Sequence, residues 1–128
     1  MNEQEKLSIG IGNLEAKKLD EGNVKVMGVR IEEVQNKDKK IVGEKVVFVV
    51  KHPAREDNLQ ISKVRYIKSL DKIESSGTWY NLDEDNNIVK NSALASLMMH
   101  YGCLSINDFI GKDVQTILDG NYLSIKAF

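Results

Sequence analysis

Three observations predict a mainly β fold with one inserted helix for this chain of 128 residues. Segments rich in Val and Ile, in which apolar and polar residues alternate, occur both early and late in the chain. A single segment has apolar residues at the three-to-four spacing of a helix. The order is three or four strands, one helix and two strands, which lacks the strand–helix alternation of parallel α/β folds. The length suits one domain with one core.

The first two strands are expected to follow a polar arm that covers residues 1–23. A short helical turn is expected within the arm, at residues 14–19. The first strand covers residues 24–34 and has Gly28 in its middle, which indicates a bulge or a bend. Residues 44–52 contain a run of Val and Phe and form the strongest predicted strand. These two strands begin the domain, which we expect to extend from residue 24 to the end of the chain.

The middle of the chain contains a third strand, a turn and the helix. Residues 59–67 are predicted to form the third strand, and a polar turn region is expected at 68–76. Residues 78–82 are expected either to form a short fourth strand or to continue a neighbouring one. The helix is expected at 93–101, because an Asn-Ser pair can cap its beginning and Gly102 can end it.

The C-terminal residues form the last predicted pair of strands, and they resemble part of a known fold. Residues 114–118 and 121–128 flank an Asp-Gly pair, which favours a type I′ turn between two strands. The segments IGKDV, at 110–114, and NYLSIKAF, at 121–128, are similar to the last two strands of small single-strand-binding proteins of phages and mobile elements, which have the OB-fold. The order of the strands and the helix is also similar to that fold, so the resemblance covers about residues 24–128.

The resemblance implies an OB-fold-like five-stranded Greek-key barrel, with the helix between strands three and four. The long first strand with its central glycine is similar to that of the fold. In the OB-fold, strands two and three form the ligand face together with the loops between strands one and two and between strands four and five. The sequence departs from this pattern at residues 78–82, which have no counterpart among the five strands.

Positive charge is concentrated in the part of the chain that would form this face. The formal net charge of the whole chain is −1, yet residues 37–72 carry ten Lys or Arg and five Asp or Glu. Residues 73–128 carry three Lys or Arg and seven Asp or Glu. A ligand responds to the local potential, so a near-neutral total does not exclude an anionic partner.

The candidate binding residues are cations for phosphates and aromatic rings for bases. Alternation places Lys45 and Lys51 on one face with two valines, opposite Val46, Phe48 and Val50. It places Lys63 with Arg65, opposite Val64 and Tyr66. Single-strand binders combine such cations with rings on which bases stack. The predicted nucleic-acid-binding residues are Lys37, Lys39, Lys40, Lys45, Lys51, Arg55, Lys63, Arg65, Tyr66 and Trp79. The same pattern also fits an ordinary solvated sheet face with both rings in the core.

Motifs for catalysis and for metal binding are incomplete. Gly10 and Gly12 begin a dinucleotide-binding pattern that lacks its third glycine and its preceding strand. Residues 83–87 resemble the first half of a calcium loop, whose later glycine and glutamate positions are not filled. His100 and Cys103 have metal-ligand spacing, but two ligands do not make a closed site. We therefore expect a protein that is not an enzyme and that binds no metal or cofactor. An enzyme that used His100 and Cys103 would need both side chains in one open cleft.

The sequence therefore predicts a protein that binds single-stranded nucleic acid, in the first place DNA, with little sequence preference. The alternative is a protein–protein interaction module, such as a viral or mobile-element accessory protein that docks on a host factor. No apolar run reaches the length of a membrane span, and the N-terminal residues do not resemble a signal peptide. We expect a cytoplasmic protein without membrane contact, and a homo-oligomer is compatible with its strand edges.

Overall fold

The computed structural model describes residues 2–11 and 21–128, which contain seven strands and two α-helices. In chain order the elements are α1 (Glu3–Leu7), β1 (Asn23–Gln35), β2 (Ile41–Lys51), β3 (Leu59–Ile61), β4 (Lys63–Ser69), β5 (Lys72–Gly77), α2 (Ala93–His100), a 3₁₀ helix (Ile106–Phe109), β6 (Asp113–Asp119) and β7 (Tyr122–Ala127). The mainly β class is thus confirmed. The helical turn expected at 14–19, and Gly12, lie outside the described residues.

The seven strands form one sheet in the order β3-β2-β1-β6-β7-β4-β5. β1 lies at the centre of one half and pairs in antiparallel fashion with both β2 and β6. β7 pairs with β6 in antiparallel fashion and with β4 in parallel. The parallel pair brings the last strand of the chain beside a strand from its middle.

The irregularity expected in the first strand is confirmed. The register between β1 and β2 shifts between Val26 and Gly28, so that one extra residue, Met27, lies in β1. A bulge of this kind bends the strand and increases its twist. The bend lets β1 pair with β6 through its first residues and with β2 along the rest of its length.

The third predicted strand is divided, and the turn predicted after it is partly wrong. β3 and β4 are separated by the single residue Ser62. Of residues 68–76, expected to be a turn region, the first two belong to β4 and those from residue 72 onwards to β5 (Lys72–Gly77), which pairs with β4 along its length. Residues 78–82 form only isolated bridges, of which one joins Trp79 to Lys45 in β2.

The core lies between the inner faces of the strands and helix α2. Alternate residues of β2 and β4 point inwards, and the α2 residues at three-to-four spacing cover them; this buried set includes Val46, Phe48, Val50, Val64, Leu94, Leu97 and Met98. Phe48 meets Phe109 of the 3₁₀ helix edge to face, with 5.0 Å between ring centroids.

Helix α2 begins and ends as the sequence predicts. The Ser92 hydroxyl accepts a hydrogen bond from the backbone N–H of Ala95, at 3.1 Å. Gly102, with φ of +67°, follows the helix, and this conformation favours glycine. The Tyr101 hydroxyl then donates to the carbonyl of Lys126 at 2.6 Å and accepts from the N–H of Gln115 at 2.9 Å, which fastens α2 to β6 and β7. Within the described ranges, no helix combines the length and the apolar character that crossing a membrane requires.

Candidate functional site

The three lysines predicted between the first two strands lie on the turn that joins β1 to β2. The Asn36 side chain holds this turn, because its oxygen accepts from the N–H groups of Asp38 and Lys40 at 2.9 and 3.0 Å. Lys37, Lys39 and Lys40 are all exposed. No described contact joins these side chains to the predicted cations of the other strands.

Lys51 and Arg55 lie at the other end of β2. The Lys51 ammonium group donates to the backbone carbonyls of Arg55 and Glu56, the second at 3.0 Å. Lys51 therefore holds the loop that follows β2, which competes with a role in binding a ligand. Arg55 is exposed on this loop.

Trp79 is half-buried and lies against β2 between two glycines. A Cβ atom at Gly43 would be 3.1 Å from the indole ring, and one at Gly77 would be 3.0 Å from Nε1. The Lys45 ammonium lies over the ring, 4.6 Å from its centroid. The two glycines thus make room for the indole, and Lys45 covers part of it.

Lys63 and Arg65 lie on the outer face of β4, as the alternation predicts. Val64 and Tyr66 point into the core, and Tyr66 is only 7% exposed. Its ring is packed among core residues, as the alternative with the rings in the core expects, and is not exposed for stacking in this conformation. The alternation itself places Tyr66 with Val64, on the face opposite Lys63.

The structure adds three residues of β7 to this outer face. Arg65 lies directly across from Lys126 in the parallel pair. Tyr122 is 66% exposed, and the Lys63 ammonium lies 5.1 Å from its ring centroid. Ser124 lies between them on the same side of β7. Alternation along the last segment puts these three residues of β7 on one face. The parallel pairing of β7 with β4 then brings them beside Lys63 and Arg65, and no local sequence pattern predicts that pairing.

These residues form one continuous surface across β2, β4 and β7. Lys63 pairs with Gly77 of β5, and a Cβ on Gly77 would meet both Lys45 and Trp79. The surface therefore runs from Trp79, across β4, to Tyr122. We call it the basic face and define it by its exposed or half-buried cations and rings, which are Lys45, Lys63, Arg65, Trp79, Tyr122 and Lys126.

The cations of the basic face form no ion pair among the described residues, and the carboxylate nearest to them in the sheet register is Glu32, directly across from Lys45. The ion pairs found within residues 2–11 and 21–128 lie elsewhere, between Arg30 and Glu32 at 2.9 Å and between Lys68 and Glu74 at 3.4 Å. Like charges directly across two strands are unfavourable. The Arg65–Lys126 pair therefore places two like charges across from each other, and neither residue takes part in an ion pair among the described residues.

The histidine–cysteine pair near the end of α2 does not form a reactive arrangement. Cys103 is buried, and burial raises the pKa of its thiol, whereas a nucleophile needs a lowered one. His100 is exposed and packs edge to face on Tyr101. No cluster of three metal-ligating side chains occurs in the part of the chain that the structure describes.

An open groove of about 640 Å³ lies on another part of the surface. It lies between the middle of β1, the loop that precedes α2 and the segment after α2. Its walls are mainly apolar and include Ile31, Leu82, Met98, Met99 and Leu104. This groove shares no residue with the basic face.

Comparisons with protein-family models, with curated proteins and with solved structures found no match to this chain.

Proposed function

We propose that this chain is an OB-type protein that binds single-stranded nucleic acid, in the first place DNA, on the basic face. One observation carries the proposal: Arg65 lies opposite Lys126 and close to Lys63, and no described ion pair includes any of the three. They lie between the exposed ring of Tyr122 and the half-buried ring of Trp79. Clustered positive charge on a rigid sheet attracts a polyanion.

The strand pairings support the OB-type part of the proposal. β3 and β4 act as one bent strand, because only Ser62 separates them. This strand then neighbours β2 through β3 and β7 through β4, while β1 neighbours β2 and β6. When β3 and β4 are counted as one strand, they give with β1, β2, β6 and β7 the five strands of the OB pattern, and α2 lies between the third and fourth of them in chain order. The sheet itself is open, with β3 and β5 at its edges. β5 is then an addition to the five-stranded pattern.

The geometry of the basic face suits a single strand better than a duplex. Stacking on a ring needs an unpaired base, and each such contact contributes about 1–3 kcal/mol. Tyr122 offers an exposed ring, and Trp79 offers part of one where Lys45 can move aside. The lysines and the arginine would follow the phosphates between the rings. Any base can stack on a ring, and every nucleotide carries the same phosphate. These contacts therefore give little sequence preference.

The test is a titration of the protein with a short oligothymidine at several salt concentrations, followed by the fluorescence of Trp79 and by the anisotropy of a labelled strand. We expect saturable binding that weakens as salt rises, because counterions are released from the strand. Lys126→Gln should reduce the magnitude of the slope of log K against log salt by about 0.7, the value for one phosphate contact. Lys90→Gln removes the same charge outside the basic face and should leave the slope unchanged.

Two results would contradict the proposal. The first is an unchanged anisotropy at low salt, and the second is an equal effect of the Lys126 and Lys90 substitutions. The protein-interaction hypothesis would then become the leading one.

A further inference from the structure

Ser124 is the most unusual polar residue of the sheet. It is 0% exposed, and its hydroxyl oxygen has no hydrogen-bond partner within the described residues. Native proteins rarely bury a hydroxyl without a partner, because the group loses its bonds to water and gains nothing in return. Ser124 lies on the outer side of β7, between Tyr122 and Lys126, so this hydroxyl belongs to the floor of the basic face.

A second unpartnered group lies beside it. The Nε atom of Arg65 is also buried and has no partner among the described residues. Val64 pairs with Ile125 and Arg65 with Lys126, so the preceding pair of positions is Lys63 and Ser124. Ser124 and Arg65 are therefore neighbouring positions on adjacent strands. The ammonium groups of Lys63 and Lys126 lie over the rings of Tyr122 and Phe128, at 5.1 and 4.9 Å from their centroids.

All of these groups can donate hydrogen bonds. The guanidinium and ammonium groups are donors without acceptor capacity, and a serine hydroxyl can donate as well. Three positive charges repel any cation, so the ligand that satisfies them is an anion with several acceptor oxygens. A tetrahedral oxyanion such as phosphate fits, since arginine recognises it through paired N–H groups.

Lys63, at the position across from Ser124, has a side chain that can move. Lys63 is exposed, and its ammonium lies over the Tyr122 ring at 5.1 Å from the centroid. Lysine has a long flexible stem, so it can leave the ring when an anion arrives. The ring would then be free to stack on a base, while Lys63 contacts the anion.

We propose that Ser124 and Arg65 form a phosphate subsite on the basic face, with Ser124 Oγ and Arg65 Nε donating to one phosphate. This inference rests on the proposed function, in which the phosphate is a diester of the bound strand. The subsite fixes the position of the strand at one point, and Tyr122 receives the adjoining base.

Ser124→Ala tests the subsite without changing any charge. The free protein should be as stable as the wild type or more stable, because the substitution removes a hydroxyl that has no partner. Binding of a labelled oligothymidine should weaken about tenfold, as expected for one hydrogen bond to a charged group. The salt slope should stay the same, whereas Lys126→Gln lowers it. An oligothymidine with neutral methylphosphonate linkages should bind the wild type and Ser124→Ala equally weakly.

Calorimetric titration with inorganic phosphate completes the test and separates the two proposals. Normal strand binding by Ser124→Ala would overturn the subsite and leave the proposed function intact. Phosphate binding that depends on Ser124, without strand binding, would support the anion site and overturn the proposed function. Binding of neither probe by the wild type would overturn both.

Discussion

The indole of Trp79 fills the space left by two glycine neighbours, which have no side chain. Gly43 and Gly77 leave the space that the ring fills, and Lys45 covers it from the third side. An aromatic ring that fills the space above a glycine on an adjacent strand gives the strand packing that glycine itself cannot supply. Gly43 and Gly77 are therefore needed because the indole packs closely against them, and not because their backbone adopts an unusual φ angle.

Gly43→Ala tests this requirement. The new methyl group would be 3.1 Å from the indole, so the ring must shift, and we expect a loss of about 1–2 kcal/mol in the free energy of unfolding. The emission of Trp79 should change as well. Gly28→Ala is the matched control, because a Cβ there meets nothing within 4 Å, and its stability should be unchanged or slightly higher. Equal losses in the two variants, measured by denaturant titration, would show that the indole is not held by Gly43.

Side-chain direction was predictable from the sequence wherever it depends on local alternation. The inward direction of Val46, Phe48 and Val50 and the outward direction of Lys63 follow from period two alone. The inward direction of Tyr66 follows from the same alternation, which places it with Val64.

The β4–β5 hairpin is the element that the sequence predicts least well. β5 contains Ser, Glu and Lys with one isoleucine, so no apolar alternation marks it as a strand. Its backbone pairing with β4 stabilises it instead. The parallel β4–β7 pair, which completes the candidate site, was likewise not predictable, because it joins segments far apart in sequence.

The tip of this hairpin carries a strained residue. Leu70 has a φ of +44°, in the left-handed region, and its side chain is 95% exposed. Leu70→Asn should raise the free energy of unfolding by about 1 kcal/mol, because asparagine tolerates this conformation better and no buried surface is lost. Leu104→Asn is the control: Leu104 is 96% exposed and has no positive φ, so thermal unfolding should hardly change. A destabilised Leu70→Asn variant would mean that the leucine makes contacts in solution that outweigh its strain.

At the scale of the whole molecule, the link between the two halves of the sheet decides whether the basic face is one surface. Lys45 and Trp79 belong to the half around β2, and Arg65 and Lys126 belong to the half around β4 and β7. Thr78 joins the halves: its N–H donates to the carbonyl of Ser62 at 3.0 Å. Its own carbonyl accepts from the N–H of Val46 at 2.9 Å, and it is fully buried.

Thr78→Val tests the link while keeping the shape of the side chain. The Thr78 hydroxyl donates to the Val46 carbonyl at 2.5 Å, and valine cannot, so we expect a loss of about 1–2 kcal/mol in the free energy of unfolding. Ser124→Ala provides the contrast, because it removes a buried hydroxyl that has no described partner and should cost nothing. If the bond also keeps Trp79 aligned with β4, then Thr78→Val should weaken strand binding even far below its unfolding temperature. Normal stability of Thr78→Val would mean that the backbone bonds alone hold the two halves together.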